Sequence, residues 1–223
     1  MIYISVKDRI GYIKSKIENE DTIILAVTKF VDYDLIDESI EAGIYHIGEN
    51  RVDKLLERHE HYGDSLKYHM IGNLQTNKVK YLVGNVDLIH SLDRLSLLKE
   101  MERVGKNRNF VFNTLIQLNI SKEASKKGIY LEDLDDFIAE VEKCKYVKVK
   151  GFMTMAPFTE NEQLIEEVFA SAKNIFEKHR EIMYNNIKMQ YLSMGMSNDF
   201  EIAIENKANI LRIGSYIYKE GGV

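Results

Sequence analysis

Residues 23–29 read Ile23-Ile24-Leu25-Ala26-Val27-Thr28-Lys29, five apolar residues closed by a hydroxyl and an amine. A short uninterrupted apolar run fits a strand buried on both faces of a parallel sheet. On its carboxyl side a helix is expected over 33–42, stopping at Gly43, a usual helix terminator. On its amino side Ile4, Ile10, Ile13 and Ile17 recur at near-helical spacing, which predicts an amino-terminal helix over 2–17. The alternation then repeats. Strands are expected over 44–47, 67–71, 86–90, 113–118, 147–153, 189–192 and 210–213. Helices are expected over 51–60, 76–83, 94–104, 131–143, 162–184 and 199–206. Eight strands alternating with helices require a parallel sheet with the helices outside, and eight such units make a (β/α)8 TIM barrel. At 223 residues the chain is slightly shorter than the roughly 250 typical of that fold. Only eight residues follow Ser215, so the eighth helix is expected to be missing and the amino-terminal helix to cover the gap. An open doubly wound sheet is the competing architecture. The barrel is preferred because the strands number eight and no Gly-x-Gly-x-x-Gly follows the first of them.

Composition excludes several classes of function. Hydrophobic residues make up 45% and charged residues 29%, an ordinary globular balance that excludes disorder as the main state. The net charge of −5 argues against a nucleic-acid footprint, which is usually basic. The single cysteine, Cys144, cannot form a disulfide within the chain, which points to a reducing compartment. No apolar stretch approaches the roughly 18 residues of a membrane helix. The first 24 residues are interrupted by charge and do not form a signal peptide, so the cytoplasm is the expected location. No Gly/Ser run and only one proline, Pro157, interrupt the chain, so residues 1–223 are read as one domain.

In a barrel the chemistry sits at the carboxyl ends of the strands. Lys29 stands at the first of these, emerging from a dry wall. Burial lowers the pKa of an amine, and a neutral amine can form a Schiff base with an aldehyde. The plain alternative is a lysine that snorkels at a strand end. The seventh strand ends in Ser193-Met194-Gly195-Met196-Ser197 and the eighth in Arg212-Ile213-Gly214-Ser215. These supply small residues, hydroxyls and approachable backbone amides where barrels favour phosphate. A short helix beginning near Ser197 would aim its amino terminus at the anion, and Arg212 adds a fixed positive charge. Ordinary turn chemistry would also use Gly and Ser here. A lysine opposite a phosphate cup fits a phosphorylated aldehyde, of which pyridoxal 5′-phosphate is one.

Other residues rank lower. His59 and His61 read as a solvated helix end, and His69 as a satisfied structural histidine. Cys144 lies between Lys143 and Lys145, whose charges would lower its pKa. Met153, Met155, Met194 and Met196 read as core or pocket wall. The polar stretch 121–128 reads as a solvated loop or as a lid whose lysines face an anionic ligand.

Leu25-Ala26-Val27-Thr28-Lys29, Gly48-Glu49-Asn50-Arg51-Val52, residues 69–78 from His69 to Lys78, residues 119–128 from Asn119 to Gly128, residues 192–199 from Leu192 to Asp199, and Arg212-Ile213-Gly214-Ser215 form a set of segments. Together they resemble the pyridoxal phosphate homeostasis proteins. They occur in family order with family-like spacing. Tyr218-Lys219 replaces the usual Phe-Gly, Asn73 stands where Pro or His is common, and Ser215 stands where Thr is common.

The resemblance implies an alanine-racemase-like barrel without that enzyme's second, β-rich domain. It implies pyridoxal phosphate on Lys29, with Asn50 facing it. Ser193, Met196, Ser197, Gly214 and Ser215 would surround the phosphate, and Arg212 would lie near the pyridine nitrogen. An arginine there disfavours protonation of that nitrogen and suits a poor catalyst. The function implied is a non-catalytic carrier that maintains vitamin B6 balance, with apo-enzymes as partners and a monomeric state. A pyridoxal phosphate-dependent amino-acid racemase is the runner-up, and a phosphosugar enzyme with Lys29 as an aldolase-type lysine is a third reading. A purely structural role would show no ligand at all.

Overall fold

Residues 5–123 and 127–219 are described by a computed structural model. Eight parallel strands close on themselves in sequence order: β1 (Ile23–Val27), β2 (His46–Glu49), β3 (Lys67–Met70), β4 (Leu88–Leu92), β5 (Phe112–Gln117), β6 (Val147–Met153), β7 (Ile187–Ser193) and β8 (Ile210–Ile213). The barrel shuts where β1 pairs with β8, Ala26 lying against Ile213. The expected barrel is therefore the observed fold. Among the described residues no strand lies outside it.

Strand parity separates two cores, because successive side chains point to opposite faces. Leu25, Leu88, Leu115, Met153 and Ile210 meet inside the barrel. Their neighbours Ile24, Ala26, Ile89, Ile116 and Leu211 point outward into the larger layer beneath the helices. This two-sided burial explains why the strands read as continuous apolar runs. At Gly151 the β6–β7 register shifts, and the backbone takes φ +144°. A Cβ there would fall 1.8 Å from the Tyr191 carbonyl oxygen, so only glycine lets the two strands close.

The helices are α1 (Val6–Lys16), α2 (Tyr33–Glu41), α3 (Val52–Tyr62), α4 (Leu95–Arg108), α5 (Leu134–Val141), α6 (Glu162–Arg180), α7 (Phe200–Glu205) and α8 (Ser215–Tyr218). None is long and apolar enough to cross a membrane. Several expectations need correction: the helix expected over 162–184 ends at Arg180, and the strand expected over 86–90 runs from Leu88 to Leu92. The segment 76–83 is a 3-10 helix over Thr76–Leu82, and 131–143 opens with a 3-10 turn, Leu131–Asp133, before α5. The eighth helix exists, as the single turn α8. Finally, β2 starts two residues later than its apolar run. The Gly43 amide bonds to the Ile40 carbonyl and the Ile44 amide to that of Ser39. That pair of bonds is a Schellman motif, so Ile44 closes α2 rather than opening the strand.

The amino-terminal helix does cover the gap at the barrel's seam. Ile10 and Ile13 are buried beneath α1. Arg9 donates to the carbonyls of Ile217 (3.0 Å) and Lys219 (2.5 Å), and Lys14 to that of Ala42 (2.8 Å). The Tyr12 ring stacks on Tyr216 with centroids 6.0 Å apart. Helix α1 begins at a capping box: the Ser5 hydroxyl accepts from the Asp8 amide at 3.1 Å, and the Asp8 carboxylate from the Ser5 amide at 3.2 Å. Ser5→Ala is expected to cost about 1 kcal/mol. Thermal melting should show this as a fall in Tm of roughly 2–4 °C; an unchanged Tm would mean that the seam does not need the cap.

Candidate functional site

The turn after β1 is held from below. The Thr28 amide donates to the Gly48 carbonyl on β2 (3.1 Å), and the Val31 amide to the Thr28 carbonyl (3.1 Å). The buried Thr28 hydroxyl donates to Glu49 Oε1 at 2.6 Å. The same carboxylate oxygen lies 3.6 Å from Arg58 Nε, and Arg58 Nη2 donates to the Val31 carbonyl at 2.6 Å. Arg58 also sits 4.3 Å from the centroid of the Tyr33 ring. Glu49 and Arg58 are 2% and 5% exposed. Burial pushes the Glu49 carboxyl up, and Thr28 and Arg58 pull it back. Sequence reading did not assign this pair. It braces the turn that carries Lys29.

Lys29 is exposed, so the enclosed setting expected for it is not what the structure shows. Its neighbour Phe30 takes φ +63° and is 98% exposed. The ladder places both at the mouth. Val27 pairs with Gly48 and Ala26 with Ile213, so Lys29 lies two residues beyond the register that leads to Asn50 on one side. On the other side the ladder leads to Gly214 and Ser215. Asn50 is exposed at the mouth. A Cβ on Gly72 would fall 2.2 Å from the Asn50 carbonyl oxygen, so the ends of β2 and β3 pack backbone to backbone.

The loop after β7 is built on Gly195, where φ is +87° and a Cβ would meet Ala203 at 2.5 Å. Glycine lets the chain turn tightly over α7. The Met196 amide donates to the buried Asp199 carboxylate at 2.5 Å, and the Arg212 amide to the Gly195 carbonyl at 3.0 Å. Burial raises the Asp199 carboxyl, countered by that amide and by Arg212. Met196 is 39% exposed at the rim. The helix expected to begin near Ser197 begins at Phe200, so Ser197 belongs to the loop. Its hydroxyl oxygen accepts from the amides of Gly214 (3.3 Å) and Tyr216 (3.0 Å). Ser197, Gly214 and the exposed Ser215 are thus brought together, as expected.

Arg212 is 4% exposed and has no carboxylate within ion-pair distance among the described residues. Its Nη1 donates to Ser193 Oγ at 2.8 Å, and its Nη2 to the Thr154 carbonyl at 2.9 Å. Burial pushes the guanidinium down to about 10, with Asp199 opposing, so it remains charged at neutral pH. Ser193 is buried beneath the mouth, held between Arg212 and His90, whose Nδ1 lies 3.0 Å away.

The lower-ranked residues divide. Met153 and Met194 are core. Cys144 is half-buried, and its thiol is pushed up to about 11 by burial and by Glu102 and Glu140. The lowered pKa expected from its flanking lysines is therefore wrong: the carboxylates are its neighbours in space. In the loop after β5, Lys122 pairs with Glu132 at 3.3 Å. Residues 124–126 of that stretch lie outside the described residues. His61 lies against the Tyr33 ring, centroids 4.2 Å apart, and His59 against Tyr68 at 4.8 Å.

A family model described as the alanine racemase N-terminal domain matches residues 4–221. A pyridoxal phosphate homeostasis protein of Aquifex aeolicus is 40% identical over 199 residues, covering 88% of this chain and 86% of its own. The chain belongs to the pyridoxal phosphate homeostasis protein family. A further member of that family, from Escherichia coli K12, is 32% identical over 210 residues, covering 89% of this chain and 86% of its own. Among solved structures, PipY of Synechococcus elongatus PCC7942 matches at 25% identity over 96% of this chain and all of its own. Its TM-score is 0.88 without PLP and 0.86 with PLP bound. Alanine racemase of Clostridium difficile 630 matches at a TM-score of 0.74 and 12% identity, over 96% of this chain and 55% of its own. That last likeness is one of fold alone.

Proposed function

We propose that this protein carries pyridoxal 5′-phosphate as a Schiff base on Lys29 and buffers its supply to apo-enzymes, without catalytic turnover. The observation that carries the reading is the convergence of two amides, those of Gly214 and Tyr216, on the single oxygen of Ser197 beside the strand that delivers Lys29. These donors are already aimed at an oxygen, so once the Ser197 side chain rotates a phosphate oxygen would take its place on them without rearrangement of the backbone. Relatives are named for pyridoxal phosphate homeostasis, and PipY has been solved with PLP bound.

The chain's own residues then have distinct roles. Ser197, Ser215 and the amides of Gly214 and Tyr216 hold the phosphate, and Met196 walls it. Asn50 borders the ring from β2. Lys29 would supply the amine of a Schiff base, a reversible attachment that would sequester the aldehyde yet release it. Bound pyridoxal phosphate supplies an electron sink whose strength depends on protonation of its ring nitrogen. Arg212, a buried cation braced by Ser193 and Thr154, opposes that protonation by like-charge repulsion. The sink is weakened, which suits storage over turnover. Residues 1–223 are read as a single domain, monomeric and cytoplasmic; among the described residues closure leaves no sheet edge for another copy to extend.

Purified protein mixed with pyridoxal phosphate should show an absorption band that borohydride bleaches, with a phosphopyridoxyl mass on the Lys29 peptide. Lys29→Ala should lose both; an adduct that persists in the variant sinks Lys29 as the site. The racemase-like barrel favours one other reading, a pyridoxal phosphate-dependent racemase. Saturable solvent-deuterium exchange at Cα of some amino acid would establish that reading in place of storage.

A further inference from the structure

The opposite end of the barrel holds a cavity of about 200 Å³ at the amino ends of the strands, lined in part by Ile23, His46, Lys67, Asp87, Leu88 and Lys150. From it a line of side chains runs up the barrel interior. His46 Nδ1 lies 3.0 Å from His69 Nε2, His69 Nδ1 lies 2.9 Å from His90 Nε2, and His90 Nδ1 lies 3.0 Å from Ser193 Oγ. Arg212 donates to that same Ser193 oxygen at 2.8 Å. The line comprises one imidazole from each of β2, β3 and β4. We propose that the cavity binds a small organic monoanion, a carboxylate, and that the three imidazoles carry the binding event to Ser193 and Arg212 at the other end of the barrel.

The charges select the ligand. Lys67 is paired with Asp87 at 3.1 Å, and Asp87 also accepts from the Tyr68 amide at 2.8 Å. Lys150 makes no hydrogen bond or ion pair among the described residues. One cation is thus left over, which suits one negative charge, and Asp87 repels a dianion. Ile23 and Leu88 give the cavity an apolar wall, which suits an organic group. The volume falls below the roughly 300 Å³ at which drug-sized pockets begin, which suits a small molecule.

The relay follows from counting protons. All three imidazoles are neutral, burial holding each below its ordinary value; His69 is pushed down to about 3. A neutral imidazole has one N–H and one acceptor nitrogen, so the line has two concerted settings. A carboxylate on His46 Nε2–H leaves His46 Nδ1 as an acceptor. His69 must then donate from Nε2, His90 must donate from Nε2, and Ser193 must donate to His90 Nδ1. Ser193 Oγ meanwhile accepts from Arg212, which has no acceptor of its own. Occupancy therefore fixes a single polarity along the line, and donation by Ser193 strengthens its oxygen as the acceptor for Arg212. The proposal concerns the protein without pyridoxal phosphate. It rests on the proposed function only in what Arg212 faces.

Nitrogen-15 NMR of the histidine rings at pH 8, with no cofactor added, tests it. Acetate and benzoate should saturably shift the His46 ring and drive His90 to the Nε2–H tautomer, whereas phosphate and chloride should not. Lys150→Gln should weaken carboxylate binding about tenfold, the loss of one charged hydrogen bond. His46→Phe should leave weaker carboxylate binding, read on Lys150, and abolish the His90 response. No saturable shift overturns the site, and equal shifts with phosphate overturn the ligand class. A His46 shift without a His90 response overturns the relay. Because no cofactor is present, none of these outcomes depends on the Lys29 adduct.

Discussion

Acidification from pH 6.5 to 5 is expected to remove about 2 kcal/mol of stability from this barrel through His69 alone, at up to about 1.4 kcal/mol per pH unit, with His90 adding to the loss. His69 and His90 are the source. Both are buried inside the barrel, at 3% and 0% exposure, and both are held neutral. Burial lowers His69 to about 3, with repulsion from His46 and Lys67, and lowers His90 well below its ordinary value, with repulsion from His69 and Arg212. In the unfolded chain each takes up a proton near pH 6.5. Below that pH the unfolded state binds more protons than the native state, so stability falls as pH falls. His46 and His179, also lowered by burial, act in the same direction. Glu49 and Asp199 act against it. Their carboxyls are raised by burial, so the native state gains protons first as pH approaches the ordinary carboxylate range. The decline should therefore be steepest between pH 6.5 and 5 and should flatten below. Urea midpoints followed by circular dichroism across pH 4.5–8 measure this. A midpoint that stays flat from pH 7 to 5 would mean that the imidazoles are charged in the folded barrel. Against a total stability in the usual range of about 5–15 kcal/mol, a loss of this size is readily measured.

The same histidines show where sequence reading stops. Strands 23–27, 147–153 and 210–213 were legible to the residue, because burial on both faces writes an apolar run. The mouth was legible too, because barrel geometry assigns strand ends to chemistry. Lys29, Ser197 and Gly214 could be picked from their position alone. His46, His69 and His90 lie 23 and 21 residues apart on three different strands, and no local pattern relates them. The signal was there, a polar ring at an inward position of each strand, but it needs the register between strands to be read. His46 pairs with Lys67, and His69 with Leu88. That stagger sets one imidazole above the next. Arg58 was hidden differently. It lies in a charged stretch of α3 that reads as a solvated face, yet its guanidinium turns under the β1 turn. Cys144 misled for the converse reason, since its neighbours in sequence are cations and its neighbours in space are anions.

Arg58→Ala is expected to destabilise the protein by about 3–5 kcal/mol, the range for breaking a buried ion pair by removing one partner. The substitution strands Glu49, 2% exposed, with only the Thr28 hydroxyl as a donor at 2.6 Å. It also removes the donor to the Val31 carbonyl and the cation over Tyr33. Both contacts belong to the turn that presents Lys29, so the variant should attach pyridoxal phosphate more weakly as well as unfold more easily. Arg58→Met combined with Glu49→Gln separates the two effects. With no charge left buried, most of the stability should return, because replacing a whole buried pair is often neutral. The Val31 carbonyl would still lack its donor, so attachment at Lys29 should remain impaired. Urea unfolding gives the first quantity, and borohydride trapping with mass analysis of the Lys29 peptide gives the second. If the double variant recovers both together, the pair acts only through stability and does not position the lysine. If stability returns and attachment does not, the buried arginine is part of how the barrel aims its amine.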